Sequence, residues 1–249
     1  AREDDRRIFG REIKLNVLSL QETSFIDLNK LWKALNLNGD WSAGQTGNLL
    51  ETPQKDFATY GDARYLMFTR ILASFEKAKT FGSLIEITAE YEEPLAELLS
   101  TLHELKVSKD PAQKEAALNL IPYVQQAWLL AQRFDAVVAN PPYLASKGMG
   151  FELKEFIAKN YPTSKSDLFA AFIERGFLLI KDSGINAQVT LQTWMFLSGL
   201  QEFREWMISE KCIKNILQIG YNSFPELNSK IVQCAVLVSE NQKRKGYHG

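Results

Sequence analysis

The chain has 249 residues, 45% hydrophobic and 24% charged, with 15 Phe and 5 Trp, enough apolar side chain for one large domain or two small ones with a true core. A formal net charge of −1 excludes a global electrostatic commitment to nucleic acid and leaves room only for a local basic face. The only histidines are His103 and His248, so no metal-ligand cluster is expected.

Residues 1–10 read as the end of a helix already under way, and the chain, which does not begin with Met, reads as a fragment. Residues 13–20 alternate apolar and polar as a strand does, with Gln21 and Glu22 where it should end. Residues 24–37 have helical spacing, with Phe25, Leu28, Leu31, Trp32 and Leu35 on one face. The stretch 36–53 is rich in Gly, Asn, Thr and Ser and reads as a long loop. Its Gly44 to Gly47 segment is too short and too poorly placed for a phosphate-binding loop. A helix is predicted over 62–78, with Leu66, Met67, Ile71, Leu72 and Phe75 as its apolar side, then a short strand or extended link at 82–87. Two more helices follow at 90–105 and 111–133, the second opened by Pro111 after Asp110. A block this long exceeds a strand-to-strand crossover and reads as an inserted helical subdomain over 23–133.

Residues 134–143 are the centre of the sequence. Ala136 to Ala139 form a short apolar run, the pattern of a strand buried on both faces of a parallel sheet. Pro141 and Pro142 cannot continue a ladder, so the strand ends at Asn140. Ligands bind beyond the carboxyl ends of strands in open α/β sheets, and Asn140 to Tyr143 fall at that edge. Their chemistry suits a planar amine, whose lone pair is delocalised and therefore weakly nucleophilic. The Asn140 side-chain oxygen and the Pro141 carbonyl are two acceptors that would favour a pyramidal nitrogen and stabilise the charge that develops on alkylation. Tyr143 offers a flat ring for a base to stack on. An adenine amine is hidden inside a duplex, so such a site implies a flipped base or a single strand.

The loop after Tyr143 contains Gly148 and Gly150 and could close over a base. Lys147, Lys154, Lys159 and Lys165 make 144–165 locally basic, which suits either phosphate contact or a solvated helix face. A helix is predicted from Ser166 as N-cap, with Leu168, Phe169, Phe172, Ile173 and Leu179 on its apolar face. A turn at 181–184, a strand at 185–191, a helix at 196–209 and a strand at 213–219 come next. Residues 231–238 suit the last, antiparallel strand pair, and 241–249 read as the start of a linker. Cys212 and Cys234 sit in apolar surroundings and are expected as buried, reduced thiols. No signal peptide or membrane-length apolar run is visible, so a cytoplasmic protein without membrane contact is expected.

On Asn140, Pro141, Pro142 and Tyr143, on Lys165 to Phe169, and on Gln192 to Leu197, the chain resembles the amino-group DNA methyltransferases of the N6-adenine type. The likeness is nearest to the large BREX phage-defence (PglX-like) and type IIG restriction-modification methyltransferases. It implies an α/β, Rossmann-like S-adenosylmethionine-dependent methyltransferase sheet without its first two strands. The core would comprise 1–22 and 134–240, with the helical insertion between. It implies that Asn140 and Pro141 bind the amine, that Tyr143 and Phe224 stack on the base, and that Asp167 and Phe169 border the cofactor, S-adenosylmethionine. Gln21 and Glu22 would lie near the cofactor's adenine, or form a plain solvated turn. The partners implied are double-stranded DNA with a flipped adenine and other defence-system proteins. No metal is called for. The glycine-rich loop and the ribose-holding acid of the family are absent from these residues, so the isolated chain is expected not to methylate. A protein-glutamine methyltransferase and a non-catalytic DNA- or partner-binding module are the alternatives.

Overall fold

The computed structural model describes residues 17–39, 61–220 and 233–243. Its centre is a four-stranded sheet of β1 (Phe134–Ala139), β2 (Ile180–Leu191), β3 (Cys212–Gly220) and β4 (Cys234–Glu240), in the order β1-β2-β4-β3. β1 and β2 are parallel, joined by a crossover of two helices, α6 (Phe151–Asn160) and α7 (Leu168–Leu179). β4 runs antiparallel to both neighbours, slotted between β2 and β3. The fold class is α/β, and the expected antiparallel final pair is present.

β1 differs from expectation. Among the described residues it pairs with β2 alone, and Val138 is 82% exposed while Val137 packs towards α7. An apolar, β-branched run specifies a strand, but the layers that cover it come from elsewhere in the chain.

The face of β2 turned to α7 is polar and nonetheless buried, with Asn186, Gln188 and Thr190 inward. Asn186 Nδ2 donates to the Ile173 carbonyl at 2.9 Å, and Gln188 Nε2 donates to the Phe172 carbonyl at 3.0 Å and to Asn186 Oδ1 at 2.9 Å. These amides add a second hydrogen bond to carbonyls of α7 and so set its height along the sheet. Gly176 permits the approach. A Cβ there would lie 2.6 Å from both amide atoms of Asn186. Phe169, Ile173 and Phe177 of α7 and Phe203 and Met207 of α8 (Gln201–Glu210) form the apolar core on this side. The chain ahead of α8 is two 3-10 turns, Gln192–Met195 and Ser198–Leu200, the second lying within the 196–209 span expected as helix.

The helical block has a core of its own. α1 (Leu28–Leu35), α2 (Ala63–Ala73), α3 (Ala78–Phe81), α4 (Glu92–Leu105) and α5 (Pro111–Ala131) bury Trp32, Phe68, Phe75, Leu95, Leu102 and Leu120 together. Each large side chain removed from water contributes about 2–3 kcal/mol. Asp110 caps α5 through the amides of Ala112 and Gln113, with Pro111 in the first turn as predicted. Phe25 is the exception on α1's predicted face, since the helix begins only at Leu28 and the ring stands 95% exposed. Residues 17–20 form no strand; the next residue instead gives its backbone to a side chain. Gln126 Oε1 accepts from the Gln21 amide at 2.7 Å and its Nε2 donates to the Gln21 carbonyl at 3.1 Å.

The link at 82–87 opens with a 3-10 turn, Gly82–Leu84, and runs on extended, docked on the sheet side. Arg175 of α7, 1% exposed, donates to the carbonyls of Ser83 and Ile85, both at 2.8 Å, and Tyr161 donates to that of Leu84 at 2.7 Å. Three successive carbonyls of the link that follows α3 are thus held by the crossover between β1 and β2. Among the described residues no helix is long and apolar enough to cross a membrane.

Candidate active site

The carboxyl ends of β1 and β2 and the start of β4 meet at one edge of the sheet. Leu191 pairs with Cys234 there, and the chain leaving β1 turns across them. Pro141 is buried and fixes the turn, while Asn140 and Pro142 are exposed and Tyr143 is half-buried. The Tyr143 hydroxyl donates to Asn140 Oδ1 at 3.1 Å. On its other side the Cys234 thiol, from β4, approaches the same phenol oxygen at 3.8 Å, within range for a weak S–H donor. The ring stands perpendicular to Phe169, centroids 6.3 Å apart. Burial pushes the Tyr143 ionisation well above that of an ordinary phenol, with the neighbouring thiol adding to it, so the hydroxyl keeps its proton.

The stretch after Tyr143 is pinned. Asp167 caps α7 at the position predicted for Ser166, and one of its oxygens accepts from both Phe169 N at 3.4 Å and Leu144 N at 3.2 Å. Ser166 uses its hydroxyl elsewhere, donating to the Gly199 carbonyl at 2.6 Å. Backbone bonds from Leu168 to Leu144 and from Ser146 to Ser166 complete the clasp. Burial raises the Asp167 ionisation above its ordinary 3.8, outweighing the amides of Phe169, Leu144 and Leu168 that favour the anion. The glycine loop predicted to close over a base is a tight turn here, with Gly148 N donating to the Ala145 carbonyl at 2.8 Å and Met149 buried. Lys147 projects from it, exposed and without an ion-pair partner among the described residues. Phe224 lies outside the described residues.

Asn140, Pro141 and Tyr143 are therefore together, and Asp167 and Phe169 stand directly behind them. Phe169 is fully buried and reaches the edge only through Tyr143. Nothing local in the sequence marks Cys234, a cysteine in an apolar strand, while Gln192 of the 192–197 stretch accepts from Gln218 through its side-chain oxygen at 2.6 Å beside the same edge. Among the described residues no group of three or more His, Cys, Asp or Glu could hold a metal ion.

The profile of the family described as Eco57I restriction-modification methylase matches residues 69–224. The chain belongs to that family. The matched segment runs from α2 through the clasp and past β3, so part of the helical block is included. The chain is 46% identical over 241 residues to the adenine-specific methyltransferase BrxX of Escherichia coli O9:H4 (strain HS), covering 97% of this chain and 20% of that protein. It is 29% identical to the adenine-specific methyltransferase PglX of Lacticaseibacillus casei (strain Zhang), covering 100% of this chain and 19% of that one. The chain thus spans about a fifth of the length of the curated relatives it matches. A solved class I S-adenosylmethionine-dependent methyltransferase from Listeria monocytogenes aligns with a TM-score of 0.39 at 14% identity, over 74% of this chain and 62% of that chain.

Proposed function

We propose that this chain is part of an adenine-specific DNA methyltransferase of a phage-defence or restriction-modification system, acting in the cytoplasm with other proteins of that system. The single observation that carries the reading is the hydrogen bond from the hydroxyl of the half-buried Tyr143 to Asn140 Oδ1 at the open end of a parallel strand. Both relatives, BrxX and PglX, are named as adenine-specific methyltransferases, which agrees with it.

In this reading a flipped adenine lies on Tyr143, with Phe224 on its other face. Its amino group donates to Asn140 Oδ1 and to the Pro141 carbonyl, which stabilise the charge that develops on nitrogen. The ring of Tyr143 cannot slide, because Phe169 backs it and the Asp167 clasp fixes the next residue. Lys147 lies exposed on the adjoining turn, where it would meet a phosphate, a contact that positions DNA without reading its sequence. The methyl donor implied is S-adenosylmethionine, which supplies an electrophilic methyl group when bound. Phe169, fully enclosed, could border it only from behind Tyr143, and Asp167, with one oxygen committed to backbone amides, would have only its other oxygen to offer. No general base is needed before transfer to so strong an electrophile.

The test is adenine methylation of plasmid DNA by the protein expressed from its whole gene, beside its Asn140→Ala variant. Methylation by the first and its loss in the second are expected. DNA binding without methylation in either would overturn the reading in favour of a binding module, and methylation of a glutamine peptide in place of DNA would move the substrate to protein.

A further inference from the structure

The edge of the sheet holds a chain of three polar groups drawn from two distant parts of the sequence. Cys234 is 1% exposed and directs its thiol at the Tyr143 oxygen at 3.8 Å; Tyr143 in turn donates to Asn140 Oδ1 at 3.1 Å. A phenol can donate one hydrogen bond and accept others, whereas an asparagine amide can present either its oxygen or its NH₂. Which end faces the tyrosine therefore depends on which way the hydroxyl points. A thiol whose hydrogen is directed at the phenol oxygen leaves the phenolic hydrogen for Asn140, and a donating phenol selects the amide oxygen. Asn140 is exposed, and among the described residues the Tyr143 hydroxyl is the partner its side chain has to orient it.

We propose that Cys234 and the Tyr143 hydroxyl form an orienting relay, S–H to O–H to Oδ1, that holds the Asn140 oxygen on the side where a base stacked on Tyr143 would bring its amino group. The inference rests on the adenine reading above and assigns the tyrosine a second task beyond supplying its ring. One lone pair of Oδ1 takes the phenolic hydrogen, and the other remains for the amine. Burial favours the protonated phenol, so the donor persists across the neutral range. Cys234 touches no substrate in this arrangement. It is a positioning residue that acts through Tyr143, and its place in an apolar strand outside any recognisable motif hides it from view in the sequence.

The experiment compares Tyr143→Phe, Cys234→Ala and Cys234→Ser in the protein expressed from its whole gene, with kcat and KM for DNA measured separately. Tyr143→Phe keeps the stacking ring and removes only the donor, so kcat falls on the order of tenfold while KM for DNA stays within about twofold, the effect of one oriented hydrogen bond felt at the transition state. Cys234→Ala lowers kcat in the same direction and by less, and Cys234→Ser, which restores a donor, recovers it. An unchanged kcat in Tyr143→Phe overturns the relay while leaving the adenine reading intact. A rise in KM with kcat preserved also overturns it, because the hydroxyl would then serve binding alone. Equal losses in Cys234→Ala and Cys234→Ser would reduce the cysteine to packing and remove it from the chain. Absence of methylation by the unaltered protein would overturn the adenine reading, and the relay with it.

Discussion

One carboxylate oxygen of Asp167 accepts the amide hydrogen of Leu144 at 3.2 Å, so the cap of α7 also grips the residue that follows Tyr143. Helix capping and site geometry are served by the same atom. Anything that moves the first turn of α7 moves the turn that carries Asn140.

That atom gives a pH-dependent prediction with an unusual sign. Burial raises the Asp167 ionisation above 3.8, so between that value and the raised one the folded chain binds more protons than the unfolded chain. Stability from this group is therefore present below 3.8 and lost as pH rises through the raised value, the reverse of a salt-bridged carboxylate. Asp167→Asn keeps an acceptor and removes the titration. Urea midpoints of the two proteins should diverge in favour of Asn as pH is raised from below 3.8 towards neutrality. A gap that closes over the same interval contradicts the assignment. Asp167→Ala, lacking any cap, should cost about 1 kcal/mol below 3.8 and less as pH rises through the raised value.

The contact of Gly176 with β2 gives a second. An added Cβ would stand 2.6 Å from Asn186 Nδ2 and Oδ1 and 2.7 Å from Gln188 Nε2, inside a network that supports the height of α7. Gly176→Ala should destabilise by about 1–3 kcal/mol, although alanine is the better helix former. Chemical denaturation measures it. A stabilised variant would mean that the amides can swing away at no cost.

Arg175 gives the third. It is enclosed, and its two hydrogen bonds go to carbonyls of Ser83 and Ile85 with no carboxylate in the pair. Burial pushes its ionisation below the ordinary value, and Nη1 finds no partner. Lysine carries the charge but not the fork, so Arg175→Lys should leave a buried carbonyl unpaired and cost about 1–3 kcal/mol. Limited proteolysis between 82 and 91 should accelerate with it. Unchanged cleavage would show that Tyr161, bonded to Leu84, holds the link by itself.

Local physics in the sequence was enough to place the motif. Proline lacks a ladder donor, so Pro141 and Pro142 had to end β1, and a parallel strand's end is where chemistry gathers in this fold class. Helical spacing located α4, α5 and α7, and Asp110 with Pro111 marked a start, because these signals act within a turn of the chain. The cap of α7 was missed by one residue, since Ser166 and Asp167 are both good caps and only the fold shows that the serine bonds Gly199.

What the sequence alone determined is thus a strand that must stop at Asn140, a tyrosine beside it and a helical block upstream. Tertiary structure decided the rest. It left one face of β1 open among the described residues, slotted β4 between β2 and β3, and brought Cys234 against a phenol 91 residues away. It also turned polar residues of β2 inward and closed an arginine among backbone carbonyls. Each of these depends on which groups meet across long stretches of chain, and a hydrogen bond or a covered face between distant residues leaves no period, cap or turn in the sequence from which it could be read.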